Sequence, residues 1–186
     1  MIIIGDVHSK QEKYINAVRE HEKSLCVGDV GFNYDSLSVL DSDCHKIVAG
    51  NHDNYENLSP HFLGDFGVWN NIFYVRGAWS IDKAHRTEYV DWFPQEQLTY
   101  MQFQQATELC LTVQPEIIVT HEAPAPIKYL ICGEANDLTS IGLGYLFEQY
   151  QPKGWIFGHH HISWRHSLYG TDFQCLSELE TCLIGE

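Results

Sequence analysis

The chain has 186 residues and a composition that is ordinary for a globular protein, with 44% hydrophobic and 13% aromatic residues. This length suits one compact domain, and we expect residues 1–186 to form a single unit. The net charge of −14 repels polyanions at long range, which argues against a general nucleic-acid binder and against long polynucleotides as partners. No apolar run is long enough to span a bilayer and no secretory signal opens the chain, so we expect a soluble, cytoplasmic protein without membrane partners.

The six cysteines are scattered along the chain, and no two of them are spaced C-x-x-C. In a cytoplasmic chain of this length such cysteines are typically free thiols in apolar surroundings. We therefore expect no disulfide framework.

Short apolar runs alternate with helical patterns through the first part of the chain. Strands are predicted over residues 2–4, 24–27, 46–49, 66–69 and 72–75, and helices over residues 10–22 and 36–40. Ser9 is suited to cap the first helix, and the Asn70-Asn71 pair predicts a turn between the last two of these strands.

The second part of the chain continues this alternation and ends in a hairpin pattern. Strands are predicted over residues 116–119, 155–157, 163–168 and 172–177, and helices over residues 95–112 and 139–150. Pro94 suits the first turn of the longer helix, and Tyr169-Gly170 suits the hairpin bend. Residues 122–138 show no clear period and are predicted to form a long loop, of a kind that is often functional. Strands that alternate with helices indicate the α/β class, with more than one sheet.

Five of the predicted strands end in residues that can bind a metal ion. In chain order these residues are Asp6 and His8, then Asp29, then Asn51 and His52, then His121, then His159 and His161. Four of the turns carry a Gly just before the polar group, which lets the backbone bend sharply out of the strand. In α/β folds, sites form at the carboxyl ends of strands, and Asp, Asn and His suit divalent transition metals. The set exceeds the need of one ion and fits two ions bridged by one carboxylate.

The order of these blocks resembles the calcineurin-like metallophosphoesterase family, and in particular its small bacterial and phage members. The blocks are GDVH (5–8), GD (28–29), GNHD (50–53), THEAP (120–124) and GHHH (158–161). Each block alone is a weak signal, but five in the family order over residues 5–161 are a strong one. The resemblance implies a four-layer α/β/β/α fold, a β-sandwich flanked by helices, with the active site at the carboxyl ends of strands.

The resemblance also implies a role for each candidate residue. Asp6, His8 and His161 would bind one metal ion, Asn51, His121 and His159 would bind a second, and Asp29 would bridge both. His52 would assist the leaving group, as a general acid or as a charge stabiliser. The family implies two divalent ions, with Mn²⁺ expected and Fe, Ni or Zn as alternatives, and attack on phosphorus by a hydroxide that bridges them.

Two departures from the protein Ser/Thr phosphatases of this superfamily bear on the substrate. Phe32 stands where their second block has a further Asp, and Ala49 precedes Gly50 where they usually have an Arg. A bidentate Arg clamp suits a doubly charged phosphate monoester, so its absence favours a phosphodiester or a small monoester held mainly by metals. A nucleotide remains one option for the phosphoester substrate, and a protein Ser/Thr phosphatase remains an alternative function.

The run VRGAWSIDKAHR (75–86) resembles a segment of the small bacterial and phage members. Lys83 and Arg86 could supply positive charge to a substrate, and Trp92 or Trp79 could stack on a base or an aryl group. The alternatives are a surface ion pair between Arg86 and Asp82, and core packing for at least one of the two Trp.

A non-catalytic metal-binding scaffold that recognises a partner is the alternative from another functional class. The complete ligand set together with His52 argues against it. His160 is left out of the ligand set, because on an extended backbone its side chain would point away from His159 and His161.

Overall fold

The computed structural model describes residues 1–185 and contains two β-sheets, with helices on their outer faces. Its strands are β1 (Ile2–Ile4), β2 (Ser24–Cys26), β3 (His45–Ile47), β4 (Phe66–Trp69), β5 (Ile72–Val75), β6 (Ile117–Thr120), β7 (Gly154–Phe157), β8 (Trp164–Leu168), β9 (Thr171–Cys175) and β10 (Thr181–Leu183). Its α-helices are α1 (Gln11–Val18), α2 (Tyr100–Val113), α3 (Ala125–Cys132) and α4 (Leu138–Gln149). Short 3₁₀ helices span Asp35–Val39, Lys83–His85 and Pro94–Glu96.

Both sheets have a parallel centre. The first sheet has the order β10-β1-β2-β3, in which only β10 is antiparallel to its neighbour. The second has the order β4-β5-β6-β7-β9-β8, with antiparallel edge strands around four parallel ones. In each sheet the parallel strands run in the same direction, so their carboxyl ends lie at one edge, or rim, of that sheet. The loops after β1, β2 and β3 lie at this edge of the first sheet, and the loops after β6 and β7 lie at this edge of the second.

Side chains that alternate along the strands build three apolar layers. Ile3 packs with residues of the second sheet, such as Val119, in a cluster between the two sheets. Ile4, its neighbour in β1, packs instead against Tyr14 of α1 on the outer face of the first sheet. Phe73 of β5 packs with residues of α2, α3 and α4 on the outer face of the second sheet. The predicted four-layer α/β/β/α fold is therefore confirmed.

Both predicted turns between neighbouring strands are confirmed, and both place two residues at positive φ. Asn70 and Asn71 have φ values of 49° and 65°, and the corresponding residues of the β8–β9 hairpin, Tyr169 and Gly170, have φ values of 51° and 85°. Tight hairpin turns with two residues at positive φ match the right-handed twist of the flanking strands.

The prediction of a long loop over residues 122–138 is wrong, because α3 lies within it. Pro124 occupies its N-cap position, and Gly133 ends it in the left-handed conformation at φ 78°. Such ends are typical of helices, but eight residues are too few to show a helical period in the sequence.

Two predicted helix starts are also wrong. α2 begins at Tyr100 and not at residue 95, because Thr99 and Gln102 form a capping box in which each side chain binds the backbone N–H of the other. Pro94 lies in the preceding 3₁₀ turn. Ser9 does not cap α1: Lys10 takes the N-cap position, and Ser9 has a φ of 63°.

The tail contributes a strand that the sequence patterns did not indicate. β10 pairs with β1 at the edge of the first sheet. Within residues 1–185, no helix is long and apolar enough to cross a membrane.

Candidate metal centre

The loops after the parallel strands bring the predicted ligands into two overlapping groups. Ligand atoms within each group lie within 4.8 Å of one another. The first group contains Asp6, His8, Asp29 and His161, and the second contains Asp29, His121 and His159. Asp29 is the member that the two groups share, which is the position expected of a bridging carboxylate.

In the first group, two imidazoles and two carboxylates converge. The Nε2 atoms of His8 and His161 are 2.7 Å apart. The His8 Nε2 atom lies 3.7 Å from Oδ2 of Asp29, and the His161 Nε2 atom lies 3.5 Å from Oδ2 of Asp6. The nitrogens and oxygens thus lie close enough together to share one cation.

In the second group, the tautomer of His121 leaves a lone pair directed at oxygen atoms. Its Nδ1 donates to the carbonyl oxygen of Val27 at 2.6 Å. Its Nε2 then faces Oδ1 of Asn51 at 3.1 Å and Oδ1 of Asp29 at 3.3 Å. Without a cation, only a proton on Nε2 relieves the repulsion between three acceptors. Burial lowers the pKa of His121, but Asp29 and Asp6 outweigh it and raise that pKa to about 10.

The orientation of Asn51 supports this geometry. Its Nδ2 donates to the hydroxyl of Ser80 at 3.0 Å, so its Oδ1 is turned towards His121. The Ser80 hydroxyl in turn donates to the buried carboxylate of Glu96 at 2.6 Å. A chain of hydrogen bonds therefore holds the amide oxygen in place as a ligand.

Two buried carboxylate oxygens have no hydrogen-bond partner within the described part of the chain, namely Oδ1 of Asp6 and Oδ2 of Asp29. Burial without a partner is costly for a carboxylate oxygen unless a cation compensates it. Carboxylate, amide and imidazole donors together suit a borderline-hard divalent transition metal. The residues present therefore fit a pair of divalent ions.

Two of the candidate ligands, Asp29 and His159, have the charge states that metal binding needs, whereas His121 would release its Nε2 proton when a metal binds. Burial opposes ionisation of Asp29, but the neighbouring His121 outweighs it and holds the pKa of that carboxyl well below its usual range. Burial lowers the pKa of His159 to about 4, so its ring is neutral at pH 7. Ionised carboxylate and neutral imidazole are the forms that bind metals.

Four of the candidate ligands adopt the left-handed backbone conformation that non-Gly residues rarely use. His8, Asp29, His159 and His161 have φ values of 44°, 52°, 66° and 53°. Such strain persists only where the surroundings impose it, and it concentrates at functional sites. The expectation that His159 and His161 share a side of an extended backbone is wrong, because β7 ends at Phe157 and both residues lie in a turn.

Two glycines allow the backbone to come close to the carboxylates. A Cβ atom at Gly50 would lie 2.2 Å from Oδ1 of Asp29, and one at Gly158 would lie 2.1 Å from Oδ1 of Asp6. The Gly that precedes a ligand in these motifs therefore serves close approach, in addition to the bend predicted from the sequence.

The sequence profile of the calcineurin-like phosphoesterase family matches residues 1–163. The chain belongs to the calcineurin-like phosphoesterase family. It is therefore a hydrolase of phosphoric esters, and its Asp and His cluster is suited to the divalent metals that the family binds.

Solved structures with a similar course of the chain include a phosphopantetheinyl hydrolase from Mycobacterium tuberculosis, which is 14% identical, with a TM-score of 0.49, over 95% of this chain and 89% of that one. A conserved uncharacterized protein from Streptococcus pneumoniae, described as a predicted phosphoesterase, is 12% identical, with a TM-score of 0.42, over 95% of this chain and 72% of that one. No curated protein matches the chain.

His52 lies at the edge of the phosphoesterase's candidate metal ligands. Its backbone N–H donates to Oδ1 of Asp29 at 2.8 Å, and its ring centroid lies 5.8 Å from that of His8. Burial lowers the pKa of His52, and the guanidinium of Arg86, 3.4 Å from its Nε2, lowers it further.

The three residues predicted to bind substrate contact other parts of the protein. Arg86 forms a two-point ion pair with Asp82, at 2.8 and 2.7 Å, which is the alternative that the sequence left open. Lys83 lies over the ring of Trp92, with its Nζ 5.7 Å from the centroid. Among the described residues, the cavity beside the metal ligands is lined by Trp79 and not by Lys83, Arg86 or Trp92. Their part in substrate binding stays a prediction.

Asp53 connects the loop after β2 to the loop after β3 through hydrogen bonds. Its buried carboxylate accepts the backbone N–H of Gly50 at 2.8 Å and those of Asp29 and Val30 at 2.9 Å each. Burial and the charge of Asp29 raise the pKa of Asp53 to about 7. The loop after β2 is thereby fixed to the loop after β3, which places Asp29 beside Asn51.

Glu122 is a buried residue of the site that the sequence reasoning missed. Its carboxylate accepts from Lys128 Nζ at 2.5 Å, and it lies 2.8 Å from Nε2 of His160 and 3.5 Å from Nε2 of His159. Its place directly after His121, in the THEAP block, is the signal that could have pointed to it. Its hydrogen bond with a histidine is to His160, and at 3.5 Å it contacts His159 as a charge. Carboxylates next to metal-binding histidines tune the metal site, and we infer that the charge of Glu122 acts on His159 in this way.

Replacing Asp53 with Ala would leave three buried N–H groups without their acceptor. We expect the free energy of unfolding to fall by about 3 kcal/mol, since each unsatisfied buried group costs about 1 kcal/mol or more. Urea denaturation in the presence of EDTA measures this loss without a contribution from metal. Asp43→Ala, at an exposed turn position, is the control; equal stability of the two variants would contradict the role given to Asp53.

The Glu122→Gln variant keeps the shape of the side chain and removes the charge beside His159. We expect the affinity for Mn²⁺ to fall about tenfold or more, because partners of metal-binding histidines contribute to that extent. Calorimetric titration of metal into the apo protein measures it. Glu116→Gln is the matched control, since Glu116 pairs with Lys153 on the exposed surface. An unchanged dissociation constant in Glu122→Gln would show that Glu122 is merely structural.

Proposed function

We propose that this member of the family is a phosphodiesterase with a dinuclear metal centre. The observation that carries the proposal is the place of Asp29, which belongs to both groups of converging ligands, with Oδ2 facing His8 and Oδ1 facing His121. The two buried carboxylate oxygens that lack partners within residues 1–185 add to it, because one lies on Asp6 of the first group and the other on the shared Asp29.

The proposed ligands are those predicted from the sequence. Asp6, His8 and His161 would hold one ion, Asn51, His121 and His159 the other, and Asp29 both. Divalent ions at these positions would supply activation of water and positive charge for the phosphoryl oxygens. Mn²⁺ is the metal expected, and metal titration would distinguish it from Fe, Ni and Zn.

His52 is proposed to stabilise the leaving group. It lies at the edge of the ligand cluster and borders the cavity in which a substrate group would lie. Because burial and Arg86 disfavour its protonated form, we assign it stabilisation of negative charge by hydrogen bonding, ahead of a role as a strong acid.

The preference for diesters follows from the cations near the cavity. Among the described residues, Lys128 is the only Lys or Arg in the cavity lining, and it is bound between Glu122 and Asp137. Arg86 is engaged by Asp82. The second negative charge of a phosphate monoester would thus find no unpaired Lys or Arg among the described residues near the cavity. A phosphodiester has a single negative charge, which the metal ions alone can bind.

Hydrolysis of bis-p-nitrophenyl phosphate is expected to depend on added Mn²⁺, to stop with EDTA, and to exceed that of p-nitrophenyl phosphate. His52→Ala should lower kcat about 100-fold while metal content stays unchanged, since such groups typically contribute at least that much. Asp29→Asn should lose both metal and activity. His166→Ala, at an exposed histidine of β8, is the control.

The alternatives make different predictions for the same assay. Faster turnover of the monoester would contradict the diester preference and would point to phosphopeptides and a protein phosphatase. Bound metal without turnover of either ester would contradict catalysis and favour a metal-binding scaffold.

A further inference from the structure

A cavity of about 860 Å³ opens directly beside the candidate metal ligands. Asp29, Asn51, His159 and His161 border it on one side, together with His52. A phosphoryl group held at the metal centre would therefore extend one of its ester substituents into this cavity.

Part of the cavity lining is apolar. Trp79, Ile81 and Leu138, which we call the apolar wall, belong to this lining, and Ile81 and Leu138 are 77% and 39% exposed, respectively. Apolar side chains left open to solvent around a catalytic cavity are typical of a binding surface.

The apolar wall is fixed relative to the metal ligands. Ser80, which follows Trp79, accepts from the ligand amide of Asn51 at 3.0 Å and donates to Glu96 at 2.6 Å. The backbone N–H of Ser80 is also bound by Glu96, at 3.0 Å. Trp79 therefore directly precedes a residue that is hydrogen-bonded to the candidate ligand Asn51, which limits the movement of this part of the wall relative to the metal centre.

The charged residues of the lining disfavour a further anionic group. Lys128 Nζ lies 2.5 Å from Glu122 and 2.8 Å from Asp137, so two carboxylates share one ammonium and leave an excess of negative charge. Glu134 adds another carboxylate to the lining. A substituent that carried a second phosphate or a carboxylate would meet like charges at close range.

We propose that the cavity binds the second substituent of the phosphodiester, and that this substituent is an uncharged planar group, an aryl ring or a nucleobase, stacked on Trp79. The proposal rests on the phosphodiesterase function proposed above. It excludes nucleoside di- and triphosphates and acidic phosphopeptides as substrates, because their additional charges would enter the negative part of the cavity.

Kinetics of bis-p-nitrophenyl phosphate hydrolysis test the stacking. Trp79→Ala should raise KM about tenfold with little change in kcat, in line with the contribution of base–aromatic stacking. Trp79→Phe should restore most of the loss. Tyr100→Ala removes an exposed aromatic residue at the start of α2, away from the cavity lining, and should leave KM unchanged.

Equilibrium binding provides a readout that is independent of turnover. In the metal-loaded His52→Ala background, calorimetric titration with bis-p-nitrophenyl phosphate should show about tenfold weaker binding when Trp79→Ala is added. Leu138→Ser, at a half-exposed position of the wall, should weaken binding in the same direction and keeps the test valid if Trp79→Ala does not fold.

The proposed exclusion of anionic substituents can be tested separately. An aryl diester whose second ring carries a carboxylate should bind at least tenfold more weakly than the diester with an uncharged ring. Glu134→Gln should reduce this difference in affinity. Equal binding of the two diesters, or wild-type KM and affinity in both Trp79→Ala and Leu138→Ser, would overturn the proposal. Diester binding that needs Trp79 but leads to no hydrolysis would contradict the proposed function and leave the cavity assignment intact.

Discussion

The carboxylate of Asp29 is the constraint on which the functional rim depends. It is buried, it is ionised, and one of its oxygens has no hydrogen-bond partner within the described chain. A buried anion in this state is stable only beside positive charge. The side chains around it are imidazoles and another carboxylate, Asp6, so the positive charge comes from a proton on His121 or from divalent cations that would take its place.

Much of the local structure serves to hold this carboxylate in place. Asp53 accepts the N–H of Asp29, and the N–H of His52 binds its Oδ1. Gly50 lacks the Cβ that would lie 2.2 Å from the same oxygen, and Asp29 itself is held at a φ of 52°. The strain at Asp29 is thus balanced by hydrogen bonds between the loops after β2 and β3.

The candidate ligands could be predicted from the sequence because each follows an apolar strand and a Gly or a Thr, in an order that is typical of one family. Lys128 could not be identified in this way, since it lies in a short helix, α3, whose eight residues show no period. Glu122 directly follows the candidate ligand His121, but its contacts with Lys128 and His160 depend on the tertiary structure. The difference between Trp79 and Trp92 also depends on the tertiary structure: the sequence predicts both as candidates for stacking on a substrate, but only Trp79 lines the cavity among the described residues. Local sequence patterns therefore indicate which residues lie at the ends of strands. Contacts between loops, which the patterns do not show, decide which other residues hold those strand-end residues in place.

The distribution of charge indicates that the metal ions and the protein bind different parts of the substrate. The chain carries −14, and the cations near the site, Arg86 and Lys128, are both bound by carboxylates. A phosphate can then be attracted only where metal ions reverse the local potential, so the protein has little positive charge of its own with which to select among phosphorylated compounds. Selectivity must come from the remainder of the substrate, and the apolar wall formed by Trp79, Ile81 and Leu138 is the surface that the fold offers for it.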